Sequence, residues 1–277
     1  MIKLAHLFDD RLALVSDIHG NSLALKAAIS KIKESNVSNV LIMGDLLTYG
    51  CSPNSVVEQL IDLSAERNCY FLKGNHDQFY FDINAGAQPF TYEVPSFIRE
   101  SVLWTQENSR YNLYNEFKWF ENLIVHNCYF AHANPFTYGN WRYMNHKDDY
   151  IDAAKRLNEK GCRTAFFGHT HRTRVGICKS NDNFKNILVD MLPKTTKRYK
   201  VDLRDGDDIY ISVVGSIGQP RGAPASISFL TPETHGFDID IIELDFDIEA
   251  HIKQIQKSNM TQATKDKLIS YFIKVEK

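Results

Sequence analysis

The sequence predicts an α/β fold built on a parallel-rich sheet, and two observations predict it. A strand–loop–helix rhythm repeats through the first half of the chain. Its strand-like runs are apolar throughout rather than alternating, as strands covered on both faces are. Repeated units of this kind lay successive strands side by side and parallel, with helices on the faces.

Residues 11–16 (RLALVS) form the first apolar run, followed by Asp17-Ile18-His19-Gly20-Asn21. A helical pattern then sets Leu25, Ala28, Ile29 and Ile32 on one face, with Asn21 or Ser22 as its N-cap. Residues 40–43 (VLIM) make the next strand, ending at Gly44-Asp45. Ser52-Pro53 opens a second helix as a cap followed by proline at the first helical position, and Val56, Leu60 and Leu63 share a face. Residues 70–72 are a third strand, before Gly74-Asn75-His76-Asp77. The texture changes over residues 78–127, where aromatics are dense and residues 97–123 read as helical, with Trp104, Tyr111, Tyr114, Phe117, Trp119 and Phe120. This stretch is expected to be a helical insertion whose aromatics are mostly core and whose position borders the site. Strand-like runs resume at 128–131 and 165–167, and residues 180–208, polar and charged, read as a β-hairpin or loop. Further strands fall at 209–214, 225–230 and 238–244, and residues 245–277 close the chain as a helical segment. No repeat, low-complexity tract or linker interrupts the pattern, so residues 1–277 read as a single domain.

The bulk properties narrow the function classes. A formal net charge of -2 provides no overall basic field to draw the chain to nucleic acid or an anionic membrane. The one basic run, Lys194-Thr195-Thr196-Lys197-Arg198-Tyr199-Lys200, is flanked by Asp202, Asp205, Asp207 and Asp208 and reads as a solvated surface. No apolar run approaches the roughly 20 residues that cross a bilayer, and acids interrupt the first ten residues where a signal peptide is apolar. Five widely spaced cysteines without a C-x-x-C pair read as reduced thiols, so a cytoplasmic setting is expected.

The polar residues at the strand ends carry the chemistry. Five apolar runs each end in residues that can bind a metal: Asp17 and His19, then Asp45, then Asn75 and His76, then His132, then His169 and His171. Ligands of open α/β sheets collect beyond the carboxyl ends of the strands. Each block alone is ordinary, since Asp17-Ile18-His19 is a common turn and His132 a common core histidine. Gly168-His169-Thr170-His171 is stronger, because two histidines at i, i+2 in a loop can point to different metals. Gly44, Gly74 and Gly168 each precede a candidate ligand, where the backbone needs positive φ or close approach. Histidines with two aspartates and one asparagine make a mixed N/O site, suited to Mn, Fe, Ni, Co or Zn rather than to Mg, Ca or a soft metal. Mn is the first expectation.

In this order the blocks resemble the calcineurin-like metallophosphoesterase superfamily, written D-x-H, G-D, G-N-H-D/E, a lone H and G-H-x-H. The likeness runs from about residue 12 to residue 228 and includes SDIHGNSLAL from Ser16, GDLLTYGCSPN from Gly44, a Trp104-centred helix, AHANP from Ala131, GHTHR from Gly168 and GSIGQPR from Gly215. It is closest to the small bacterial and archaeal YfcE-like or diadenosine-tetraphosphatase-like phosphodiesterases. The resemblance implies two packed mixed β-sheets flanked by helices, an α/β/β/α sandwich. It also implies a first metal on Asp17, His19 and His171, a second on Asn75, His132 and His169, and Asp45 bridging them. A hydroxide bridging the two ions would then attack a phosphodiester or nucleotide-type phosphate ester, a small-molecule substrate. By the same resemblance His76 is a second-sphere acid, and Asp77 orients its ring or raises its pKa.

Two alternatives stand beside this. Protein Ser/Thr phosphatases carry G-D-x-V-D-R-G and G-N-H-E where this chain reads GDLLTYG and GNHD, so their phosphate-binding arginine is missing here. A non-catalytic scaffold of the same fold, as in the retromer complex, lacks parts of the catalytic set, including the histidine corresponding to His76. Residues 215–221 read equally as a phosphate loop or as a glycine-rich turn closing a strand near the metals. The family usually places Asn-Pro before the first glycine and an acidic stretch after the arginine; here Val213-Val214 and Gly222-Ala223-Pro224 stand instead, which leaves Arg221 without an assigned role.

Overall fold

The computed structural model describes residue 7 and residues 10–91, 93–181, 186–204 and 206–273. Most of the N-terminal stretch weighed as a leader lies outside them, as do Asp205 and the last four residues of the C-terminal segment.

The first half folds as β1 (Leu12–Val15), α1 (Ser22–Glu34), β2 (Asn39–Ile42), α2 (Pro53–Glu66) and β3 (Asn68–Leu72). β1, β2 and β3 pair in parallel. Their apolar residues alternate between two interiors. Ala13, Val15, Val40 and Ile42 pack with Leu25, Ala28 and Ile32 of α1 and Val56, Val57 and Leu60 of α2. Leu12, Leu14, Leu41 and Met43 face the other way, onto Phe130 and Phe166 of a second sheet. Burial on both faces explains the unbroken apolar runs, each fully buried large side chain contributing about 1.5–3 kcal/mol. Asn21 caps α1 by accepting from the Ala24 amide. Ser52 precedes α2 as expected, yet its hydroxyl makes no cap and instead donates to Gln254 of the C-terminal segment.

The middle of the chain runs α3 (Asn75–Asn84), α4 (Ser96–Asn108), α5 (Leu113–Glu116), β4 (Trp119–Phe120), β5 (Asn122–Val125), β6 (Cys128–Ala131), α6 (Lys147–Glu159) and β7 (Thr164–Phe167). The helical reading of residues 97–123 therefore holds only to Glu116. Trp119 and Phe120 instead extend the first sheet beside β3, and Asn122–Val125 pairs antiparallel with β6, so the insertion ends by building one edge strand for each sheet. Its aromatics lie half-buried against the core rather than within it: Phe117 stacks on Phe71 and Trp119 meets Phe71 and Phe81 edge-on, while Tyr114 is 55% exposed.

The remainder is β8 (Arg174–Asn181), β9 (Asn186–Met191), β10 (Arg198–Asp202), β11 (Ile209–Val213), β12 (Ser226–Glu233), β13 (Gly236–Glu243), α7 (Ile248–Lys257) and α8 (Gln262–Ile269). One sheet has seven strands in the order β10-β13-β12-β1-β2-β3-β4, the other six in the order β5-β6-β7-β11-β8-β9. Both are mixed: the first is antiparallel from β10 to β1 and parallel from β1 to its edge at β4, the second parallel across β6, β7 and β11 and antiparallel outside them. Tyr129, Ala131, Ala165 and Phe167 point away from the sheet interface onto Tyr150, Ala153, Ala154 and Leu157 of α6, which completes an α/β/β/α sandwich. The 180–208 reading is half met: β8 and β9 form a hairpin, but β10 crosses to the edge of the other sheet. The basic run is neutralised there, as Arg198 and Lys200 meet Asp238 and Lys197 meets Glu243, acids of the neighbouring strand rather than those flanking the run in sequence. Among the described residues no helix is long and apolar enough to cross a membrane.

Candidate metal centre

The loops after the parallel strands β1, β2, β3, β6 and β7 bring the predicted residues together. Asp17, His19, Asp45 and His171 offer ligand atoms within 4.8 Å of one another, and Asp45, His132 and His169 form a second such group. Asp45 belongs to both. Asn75 joins the second group through Oδ1, 3.2 Å from His132 Nε2. All seven are buried, His19 and Asp45 to within 1% of full burial.

Each imidazole is oriented by a backbone carbonyl. His19 Nδ1 meets Leu47 O at 3.2 Å, His132 Nδ1 meets Met43 O at 2.7 Å, His171 Nδ1 meets Gln219 O at 2.6 Å, and His169 Nε2 meets Trp141 O at 2.9 Å. A carbonyl can only accept, so these nitrogens carry a hydrogen and the opposite ring nitrogen is the one left to face a cation. His132 Nε2 and His19 Nε2 lie 3.3 and 3.6 Å from Asp45 Oδ2, and His171 Nε2 lies 3.3 Å from Asp17 Oδ1. Asp45 Oδ2 is buried with no hydrogen-bond partner. A buried carboxylate oxygen without a hydrogen-bond partner, ringed by imidazole nitrogens, is the arrangement a cation satisfies. The donor set thus fits metal ions.

The electrostatics agree. Burial opposes charge on Asp17, yet His171 and His132 hold its carboxyl below the usual range. Burial also opposes charge on His132, but Asp45 outweighs it and lifts that imidazole to about 10. From the chain's own charges alone, the cluster draws in a proton to balance its carboxylates, a proton that a bound metal would displace.

The backbone is strained where the ligands sit. Asp17, His19, Asp45, His169 and His171 all have positive φ, between 49° and 65°. Aspartate and histidine tolerate this region better than bulkier residues, but it still costs about 1–3 kcal/mol each. Surrounding hydrogen bonds hold them: the Asp17 amide donates to Gly44 O, His19 to Asp45 O, and His169 to the Asp17 carboxylate. Gly44 meets the expected need for positive φ, at 92°. At Gly74 the reason is proximity, since an added Cβ would lie 2.1 Å from Asp45 Oδ1.

His76 and Asp77 begin α3. The His76 amide donates to Asp45 Oδ1, and its ring meets the Tyr49 hydroxyl through Nε2 at 3.1 Å while Nδ1 is buried without a partner. Burial pushes this imidazole down to about 4. Asp77 does not orient the ring, contrary to expectation. Its two oxygens accept from the amides of Asp45, Leu46 and Gly74, so it clamps the loop that carries Asp45 onto the start of α3. Burial and the nearby Asp45 push its carboxyl up to about 7, against those three hydrogen bonds.

Residues 215–221 resolve as a turn. The amides of Ile217, Gly218 and Arg221 donate to Ser16 O, Asp17 O and His171 O, and the Gln219 amide donates to Ser216 Oγ, which leaves those four N–H groups unavailable to cradle a phosphate. Sequence reasoning missed Tyr49, Trp141, Tyr143 and Gln219. Tyr143 stacks on the His169 ring at 4.2 Å. Tyr49 is fixed by its amide donating to Ser101 of α4, which is how the insertion touches the site. For Tyr49, Trp141 and Tyr143 the one sequence signal is position, each lying within a dozen residues of a ligand block, whereas Gln219 belongs to the 215–221 turn, remote in sequence from every ligand.

The calcineurin-like phosphoesterase family matches residues 10–173, more than half of the chain and the whole span from Asp17 to His171. The chain belongs to this family. An uncharacterized protein of Methanocaldococcus jannaschii is 28% identical over 256 residues, covering 91% of this chain and 94% of that protein. Among solved structures, a metallophosphoesterase from Sphaerobacter thermophilus superposes with a TM-score of 0.70 at 19% identity, covering 95% of this chain and 99% of its own. A hypothetical protein from Pyrococcus horikoshii does so with 0.68 at 17%, covering 93% and 97%. At these identities the two structures carry the phosphoesterase fold alone.

Proposed function

We propose that the chain is a two-metal hydrolase of phosphate esters, of phosphodiester or nucleotide type. The observation that carries this is Asp45, whose unpartnered Oδ2 is common to both ligand groups. Asp17, His19 and His171 would hold one cation and Asn75, His132 and His169 the other, with Asp45 common to both groups. Transition-metal ions such as Mn, Fe, Ni, Co or Zn suit these donors, and once bound they would supply Lewis-acid charge for the phosphoryl oxygens and acidify a bound water.

The residues around them prepare the ester. Backbone carbonyls fix the imidazoles before substrate arrives, so little reorganisation is left for the reaction itself. His76, edge-on to His19 with ring centroids 5.1 Å apart, would hydrogen-bond or protonate the leaving oxygen. Tyr49 holds that ring through its hydroxyl.

A panel of chromogenic diesters and monoesters, run across several metals with phosphate release and metal content measured on one preparation, tests the reading. Turnover that needs two ions per chain supports it. A chain carrying two ions that cleaves no ester contradicts it.

A further inference from the structure

The turn at residues 215–221 has a second side. One side braces the ligand loop, with Gln219 O accepting from His171 and the Arg221 amide donating to His171 O. On the other, the Arg221 side chain turns back, and its Nη2 donates to Gln219 Oε1 at 3.0 Å. Its guanidinium lies over the Tyr271 ring, 5.2 Å from the centroid, with the Tyr49 and Tyr143 phenols nearby. Its Nε is buried with no hydrogen-bond partner. Among the described residues no carboxylate forms an ion pair with it.

A part-buried cation with an idle donor and no counter-charge is costly unless an anion completes it. Here the anion must be brought in, because the neighbours are phenols, an amide and imidazoles. The planar guanidinium presents its donors in a fork that matches two phosphoryl oxygens, and Gln219 holds that fork in one orientation.

We propose that Arg221 is a substrate-binding residue, receiving a non-bridging phosphoryl oxygen of the ester on its Nε side. This rests on the phosphoesterase reading and deepens it, by assigning the phosphate contact to a side chain of the 215–221 turn rather than to the turn's amides. Gln219 and Tyr271 position the guanidinium.

Calorimetric titration of inorganic phosphate into the Mn-loaded full chain tests it, with wild type, Arg221→Gln and Arg221→Lys compared and metal content and melting measured on the same samples. Arg221→Gln is expected to bind phosphate about 10- to 100-fold more weakly with its metals retained, and to raise KM for a diester more than it lowers kcat. Arg221→Lys, which keeps the charge but not the fork, is expected to fall at least about fivefold. Phosphate affinity within about twofold of wild type in the metal-loaded Gln variant overturns the proposal; should that variant lose metal or fold, unchanged affinity in the Lys variant does so. A wild type that neither binds phosphate nor cleaves any ester removes the phosphoesterase reading as well, whereas an active wild type with indifferent variants removes only Arg221.

Discussion

Asp45 and Asp77 show how two carboxylates of one site take opposite duties. Asp45 keeps Oδ2 free of donors and gives Oδ1 to the His76 amide, whereas Asp77 spends both oxygens on three amides. Asp77→Asn replaces one acceptor with a donor facing those amides. It is expected to lower stability by about 3 kcal/mol and to loosen metal binding with it, read by denaturation and metal analysis. His76→Ala leaves the His76 amide in place, so metal content should stay near normal while turnover falls roughly 10²- to 10⁴-fold. Full activity in a metal-loaded His76→Ala chain would remove the ring from the mechanism. The gathered residues were legible because aspartate, histidine and asparagine ended successive apolar runs. The duty of Asp77 was not, since it depends on which amides come within 3 Å after folding. Tyr49 and Tyr143 escaped for the same reason: nothing about a tyrosine in sequence says which ring it will face.

At the scale of elements, the loops matter more than the strands that carry them. The turn at residues 215–221 lies across the loop after β1, and an added Cβ at Gly218 would fall 1.7 Å from Ile18 O. Gly218→Ala must therefore displace the turn and with it the carbonyl that orients His171. A 10- to 100-fold loss of metal affinity is expected, by analogy with other losses of a ligand-orienting partner. Gly222→Ala is the control: its Cβ would meet nothing within 4 Å, so only the strain of φ 73° remains, about 1–2 kcal/mol with metal affinity unchanged. Equal metal affinity in both variants would contradict the bracing role. Helix α1 was readable from its cap and apolar face, and α2 from the proline at its first position and its apolar face. The run from Trp119 to Leu123 was misread as helix because it continues an aromatic-rich helical stretch. What makes it strand is pairing with β3 and β6, partners remote from any local pattern.

Over the whole molecule, two sheets meet so that the parallel strands of both deliver their loops to one edge, and the C-terminal helices close beside it. Tyr49 of the site packs with Ile255, Leu268 and Ile269 of that segment. His251 of α7 is buried between Phe246 and Phe272, and burial pushes its imidazole down to about 4. The unfolded chain takes up this proton near pH 6.5, the folded chain only near 4. Stability from this group is therefore intact above pH 6.5 and lost as pH falls toward 4, by about 3 kcal/mol in total. Chemical denaturation at pH 7 and pH 5 should show His251→Gln losing less stability than wild type; parallel losses would contradict it. The sandwich was implied by family likeness rather than by pattern, because no local signal tells a strand that one of its faces meets a second sheet.

The central claim is that seven side chains from five strand ends grip two cations sharing Asp45. Anomalous diffraction from crystals grown with Mn²⁺ tests it most directly. Two peaks are predicted, one among Asp17, His19 and His171 and the other among Asn75, His132 and His169, each touching Asp45. A single peak, or two that leave Asp45 untouched, would contradict the account.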